Sequence, residues 1–367
     1  MPLPLFYSFF EFLAPALVGF VVTLLAITVL RPLAIKVDLV DRPGGRKAHE
    51  GVVPVIGGLA MLLGLLVAFG VIPAEFQPST AFTAACALLI VVGLADDRFD
   101  ISPWFRLPVH AAAAGLLIFG AGWTVTGLGD LLGLGSISLI TPWAELVTLV
   151  LVMGAINAFN MLDGMDGLAG ATALVGFAAL AFVSAADGLM GPIFVSIVGL
   201  GIVAAFLVFN VPALFNRAFR CFMGDAGSTL LGFILAWLCV AISQDARSTT
   251  SPAVVLWFVA MPIYELLWTM IRRISRGTSP FRPDAEHFHH LLQHAGFSVR
   301  GAFGVYLSIC ILIGSAGLVL HEWLRVSDSL LFLAFLTVGV GVVRLMYNAR
   351  TLARFVPAVF LESSVSR

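Results

Sequence analysis

Long apolar runs, separated by short polar segments, dominate the chain. They lie near 8–30, 53–72, 79–95, 107–123, 143–161, 168–186, 189–209, 226–243, 252–271, 302–320 and 328–346. Each approaches the roughly 17–25 residues a helix needs to cross a bilayer. The pattern therefore predicts an all-α polytopic membrane protein with about eleven transmembrane helices, in a single domain over 1–367. The stretch 121–140, rich in Gly and Leu, reads as an extracytoplasmic loop or an interfacial piece. No internal repeat is visible. The first run has no basic residue before it, carries Glu11 and is too long for the apolar stretch of a signal peptide, so it reads as a retained span.

Basic residues orient the spans, because Lys and Arg concentrate in loops that stay in the cytoplasm. With the N-terminus outside, 18 of the 20 Lys and Arg fall in inside segments, and only Arg247 and Arg325 fall outside. The expected cytoplasmic loops are about 31–52, 96–106, 157–167, 210–228 and 272–301, with a cytoplasmic C-terminus. Composition agrees with a membrane protein: 60% of residues are hydrophobic and 11% charged, against roughly 45–50% and 25% in soluble proteins. A net charge of −1 argues against nucleic acid as a partner, since phosphate backbones select a basic surface. The four scattered cysteines, Cys86, Cys221, Cys239 and Cys310, have neither disulfide-framework nor zinc-ligand spacing.

Four polar motifs break the apolar pattern, all on the expected cytoplasmic face. Gly93-Leu-Ala-Asp96-Asp97-Arg98-Phe-Asp100 ends the third run. Taken alone, Asp96-Asp97 reads as a helix-end charge pair. Neighbouring helix positions point about 100° apart, so the two carboxylates are expected to serve different roles. Asn157-Ala-Phe-Asn160-Met-Leu-Asp163-Gly164-Met-Asp166-Gly-Leu-Ala-Gly170 reads as a Gly-broken turn or as a site. Asp163 and Asp166 would share a face if helical, as would Asn157 and Asn160, and four such groups exceed what a turn requires. Phe222-Met-Gly224-Asp225-Ala-Gly227-Ser228 precedes a span, where free amides favour phosphate; Asp225 reads as an N-cap or as a functional carboxylate. The loop at 272–300 carries Arg282, His287, His289 and His290. Histidines alone suggest zinc, whereas the carboxylates elsewhere suggest a hard cation shared with substrate phosphates, as Mg²⁺ is. Ionisable groups at membrane depth mark substrate or ion sites.

Together these motifs, in order over roughly 30–300, resemble the polyprenyl-phosphate N-acetylhexosamine-1-phosphate transferase family, glycosyltransferase family 4. The 272–300 region is similar to the family's bacterial N-acetylglucosamine branch; the phospho-N-acetylmuramoyl-pentapeptide branch shares the Asp motifs but needs a different loop. The resemblance implies transfer of N-acetylglucosamine 1-phosphate from UDP-N-acetylglucosamine to undecaprenyl phosphate at the cytoplasmic face of a bacterial inner membrane. UMP would leave, and the product would be the first lipid-linked intermediate of a surface polysaccharide of O-antigen or enterobacterial common antigen type, within lipopolysaccharide biosynthesis. It implies Mg²⁺, with Mn²⁺ as a substitute, held by Asp225 with Asp97 and Asp163. Asp96 becomes the base or orienting group for the lipid phosphate, and Asp166 and His289 join the reactive set. The uridine would lie near Phe222, Asn160, Gly164 and Asp166, with Lys47 assisting and Asn157 among the substrate-binding residues, and Arg282, His287, His289 and His290 would hold the diphosphate or sugar. Partners are then the two substrates and the lipid bilayer, with a homodimer as a further expectation. The competing reading is an ion-coupled secondary transporter with acidic cation sites. Transporters usually place these near the midplane, often between repeats, whereas the acidic groups here fall at span ends.

Overall fold

A computed structural model describes residues 9–42, 51–211, 219–279 and 286–349; Lys47 and Arg282 lie outside the described residues. Helix dominates. The helices are α1 (Phe9–Lys36), α2 (Gly57–Phe69), α3 (Thr80–Phe99), α4 (Pro103–Gly115), α5 (Trp143–Leu162), α6 (Leu168–Asp187) and α7 (Met190–Asn210), then α8 (Gly224–Ser243), α9 (Pro252–Phe258), α10 (Ala260–Ser275), α11 (Phe288–His294), α12 (Val299–Leu318) and α13 (Asp328–Tyr347). The described strands form two small antiparallel pairs: β1 (Val40–Asp41) with β2 (Val53–Pro54), and β3 (Gly127–Gly129) with β4 (Ile137–Ser138). The Gly-rich 121–140 stretch thus holds a hairpin between helices.

Each of the eleven predicted runs contains helix, but not all are full-length spans. Eight helices are long and apolar enough to cross a membrane among the described residues. A ninth candidate is α9 with α10, bent by 86° at their junction. Pro262 lacks the amide that would continue the hydrogen-bond ladder back to Phe258, and this weakens the helix at the bend. The remaining two runs, Gly57–Phe69 and Trp104–Gly120, form shorter apolar helices. The first is shortened because Val53 and Pro54 pair with β1 instead.

The bundle is organised around α8, in which every residue from Ala226 to Leu238 is buried. A helix apolar on all sides needs neighbours on all sides, and α2, α3 and α5 are among those packed against it. Small residues permit the approach, as membrane helix interfaces commonly require. A Cβ on Gly93 of α3 would overlap the backbone of Ala226, and one on Gly232 of α8 would lie 2.6 Å from the Ala155 carbonyl of α5. These contacts draw the end of α3, the end of α5 and the start of α8 to one place.

Candidate active site

Asp225 is the second residue of α8 and the hub of that place. Its Oδ1 accepts a 2.5 Å hydrogen bond from the Asn160 amide of α5, and its Oδ2 lies 3.0 Å from Nη1 of Arg106 on α4. The same Arg106 nitrogen is 2.7 Å from Oδ2 of Asp96, a carboxylate only 3% exposed. Asp96 also accepts the Ile101 amide at 2.7 Å, which fixes the turn leaving α3. Asp97 faces the other way: its oxygens accept the amides of Asp225 at 2.8 Å and Ala226 at 3.4 Å. The two adjacent aspartates thus have different partners. Asp225 is not an N-cap, because it lies inside α8 and its side chain turns to Asn160 and Arg106. The amides expected to cradle phosphate there are instead engaged by the oxygens of Asp97.

Asp163 and Asp166 do not share a helical face. The α5 helix stops at Leu162, and the chain turns through Asp163–Gly167, with Gly167 at φ +77°, a conformation glycine adopts without strain. Asp163 is directed toward the acidic hub. Desolvation first, and then the like charges of Asp225, Asp97 and Asp166, hold its carboxyl well above the ordinary carboxylate range, opposed by a bond from the Gly224 amide. Asp166 instead pairs with Arg220, whose guanidinium lies 4.9 Å from the centre of the Phe222 ring. Asn210 ties this turn to the segment before α8: its Oδ1 accepts the Gly167 amide at 2.5 Å, and its Nδ2 donates to the Cys221 carbonyl at 2.9 Å. Asn157 and Asn160 are both helical. Asn157 donates to the Met153 carbonyl at 2.7 Å and approaches His110 at 3.4 Å, while Asn160 also reaches Ser228. The Asn160 amide group, expected on the uridine side, is engaged in holding Asp225.

The histidines reach the turn from the opposite side. His287 precedes α11, and His289 and His290 lie in its first turn. A Cβ on Gly164 would stand 2.7 Å from His289 Nε2, so a side chain here would press on that ring, while His290 Nε2, at 3.9 Å, would lie at ordinary contact distance. His289 is fully buried, and neither ring nitrogen has a hydrogen-bond partner among the described residues. Desolvation lowers its pKa to about 4, against the pull of Glu265, so the ring is neutral at neutral pH. The described residues hold no group of three or more His, Cys, Asp or Glu side chains able to enclose a metal ion.

Sequence reasoning missed Arg106, Arg220 and Glu265. Arg106 and Arg220 entered the reading only as orientation charges, and Glu265 lies inside an apolar run. A lone acid in such a run is itself the signal that could have found it. The structure also forms a small cavity between α3, α4 and α8, with Leu89, Val92 and Val109 on its apolar walls and Asp96, Arg106 and Asp225 at its polar side.

Residues 79–243 match the family model described as glycosyl transferase family 4. The chain is similar to an undecaprenyl-phosphate alpha-N-acetylglucosaminyl 1-phosphate transferase of Escherichia coli O157:H7, 34% identical over 91% of this chain and 92% of that one. The transferase of that name from Yersinia pestis is 34% identical over 89% and 90%. Its counterpart from Pasteurella multocida is 35% identical over 86% and 89%.

Proposed function

The chain belongs to glycosyl transferase family 4, and from this premise we propose that it transfers N-acetylglucosamine 1-phosphate from UDP-N-acetylglucosamine to undecaprenyl phosphate. The observation that carries the reading is the convergence of the four motifs. Asp96, Asp97, Asn160, Asp163 and Asp225 gather where α3, α5 and α8 meet, with His289 against the adjoining turn. Similarity to transferases over 86–91% of the chain favours this chemistry over the ion carrier.

In the proposed reaction a lipid-phosphate oxygen forms a bond to the β-phosphorus of the donor, and the bond from that phosphorus to the bridging oxygen breaks. UMP carries away the electron pair. A phosphate monoester with a second pKa of about 6 is already largely ionised at neutral pH, so direct displacement needs little help from a base. Asp96 then serves to orient Arg106, whose guanidinium suits a phosphate by both charge and shape. Asp166 and Phe222 are assigned to the uridine side, together with Gly164, Asn157 and Lys47. His287, His289 and His290, with Arg282, are assigned to the diphosphate or sugar.

The residues fit Mg²⁺. Their donors are oxygens, and desolvation together with the like charges around it raises the Asp163 pKa, an imbalance that a cation relieves. A cation that takes one or two carboxylates and completes its shell with waters and substrate phosphates needs no closed protein cage. Asp225 would hold it, with Asp97 and Asp163 beside it, and Mn²⁺ would substitute. When bound, the ion supplies screening between two anionic substrates and stabilises charge on the transferring and leaving oxygens. The site is assigned to the cytoplasmic face of the bacterial inner membrane, and the product to the start of a lipid-linked surface polysaccharide. A homodimer is part of the same proposal.

The test is to incubate purified protein with UDP-N-acetylglucosamine, undecaprenyl phosphate and Mg²⁺. UMP release that requires both lipid and metal supports the reading. UMP release without lipid, or none at all, counts against it.

A further inference from the structure

Glu265 has no place in the chemistry above, yet it is 1% exposed and lies on α10, just past the bend in an otherwise apolar segment. A buried carboxylate is costly unless its oxygens are fully engaged. Here the donors come from two other elements. Oε1 accepts the amide of Phe288, the first residue of α11, at 3.0 Å and faces Nδ1 of His287 at 3.3 Å. Oε2 accepts the hydroxyl of Tyr306 on α12 at 2.9 Å. Tyr306 is fully buried, and its ring lies 5.9 Å from that of Phe288. One side chain therefore joins α10, α11 and α12.

The consequence falls on α11. Seven residues are too few for a helix to hold itself, so its position depends on what grips it. It carries His289, whose ring abuts Gly164 beside Asp163. A neutral side chain of similar size could fill the space of Glu265. Only a carboxylate offers two acceptor oxygens with no competing donor, and two acceptors are what an amide and a hydroxyl from different elements require. We infer that Glu265 is a positioning residue: by gripping the start of α11 against Tyr306 it sets His289 against the Asp163–Gly167 turn. This rests on the proposed part of His289 in the reaction.

The test is a double-mutant cycle, since a residue acting only through another adds nothing once that other is gone. Glu265→Ala, His289→Ala and the double variant are assayed for kcat and donor KM, with folded protein quantified by monodisperse elution. Glu265→Ala is expected to lower kcat by about tenfold or more with KM within about twofold, and the double variant to match His289→Ala within about twofold. Glu265→Gln, which retains one acceptor oxygen, should recover part of the rate. Tyr306→Phe, a milder removal of one donor, asks the same question should Glu265→Ala fail to accumulate. Its loss should likewise vanish in the His289→Ala background. Independent effects, in which either variant multiplies the defect of His289→Ala, would overturn this inference alone. A wild-type rate for His289→Ala would overturn the role of the histidine and this inference with it.

Discussion

At the scale of single residues, the acidic hub sets apart carboxylates that look alike in the sequence. Asp97 is committed to the amides that open α8, Asp96 to Arg106 and the Ile101 amide, and Asp225 to Asn160 and Arg106. Asp225→Asn keeps the shape but replaces a charged oxygen with a neutral one, a poorer partner for a hard cation. Turnover should be nearly abolished while elution and helix content are unchanged; full activity with unaltered Mg²⁺ dependence would remove Asp225 as principal ligand. Asp163 supplies a pH signature. Its pKa is raised, so the protonated form persists above the ordinary carboxylate range, and protons compete with the cation for the hub. Activity should fall as pH drops, and raising Mg²⁺ should move that acidic limb to lower pH. A limb that stays fixed as Mg²⁺ rises tenfold would separate Asp163 from the metal. The carboxylates were legible as intruders in apolar sequence. Arg106 and Arg220 were not, because nothing in a linear count distinguishes a loop charge from one folded back onto Asp96 or Asp166.

At the scale of elements, close packing around α8 brings the motifs together. Gly232→Val would drive a side chain into the Ala155 carbonyl, forcing α5 away from α8 at a cost of about 1–3 kcal/mol of overpacking. The expected result is a lower thermal midpoint and a loss of activity per folded molecule, because Asn160 and Asp163 travel with α5. An unchanged midpoint and rate would show that this contact does not set the site. Helix content could be read from hydropathy, since every apolar run contains helix. The details depended on features that hydropathy averages away. Pro54 and its strand pairing shorten α2, Pro262 weakens the helix where α9 meets α10, and the segment of Gly164 and Gly167 takes the Gly-broken turn rather than the helical alternative, so Asp163 and Asp166 part.

For the whole molecule, the distribution of basic residues predicts that the hub faces the cytoplasm. Single cysteines on a cysteine-free background should label from outside at positions 75 and 130 and from inside at 100 and 285. The reverse pattern would refute the orientation. The motif order was enough to suggest a phosphoglycosyl transfer reaction. Only folding showed that the His-bearing helix reaches the Asp163–Gly167 turn, because the contact joins segments far apart in the chain. The central claim concerns which bond breaks. UDP-N-acetylglucosamine labelled with radiophosphorus at the β position, and separately at the α position, tests it directly. With undecaprenyl phosphate and Mg²⁺, the β label should pass into the lipid fraction together with the sugar, while the α label should leave as UMP. Sugar reaching the lipid without the β label, or β label appearing as free phosphate, would contradict the account.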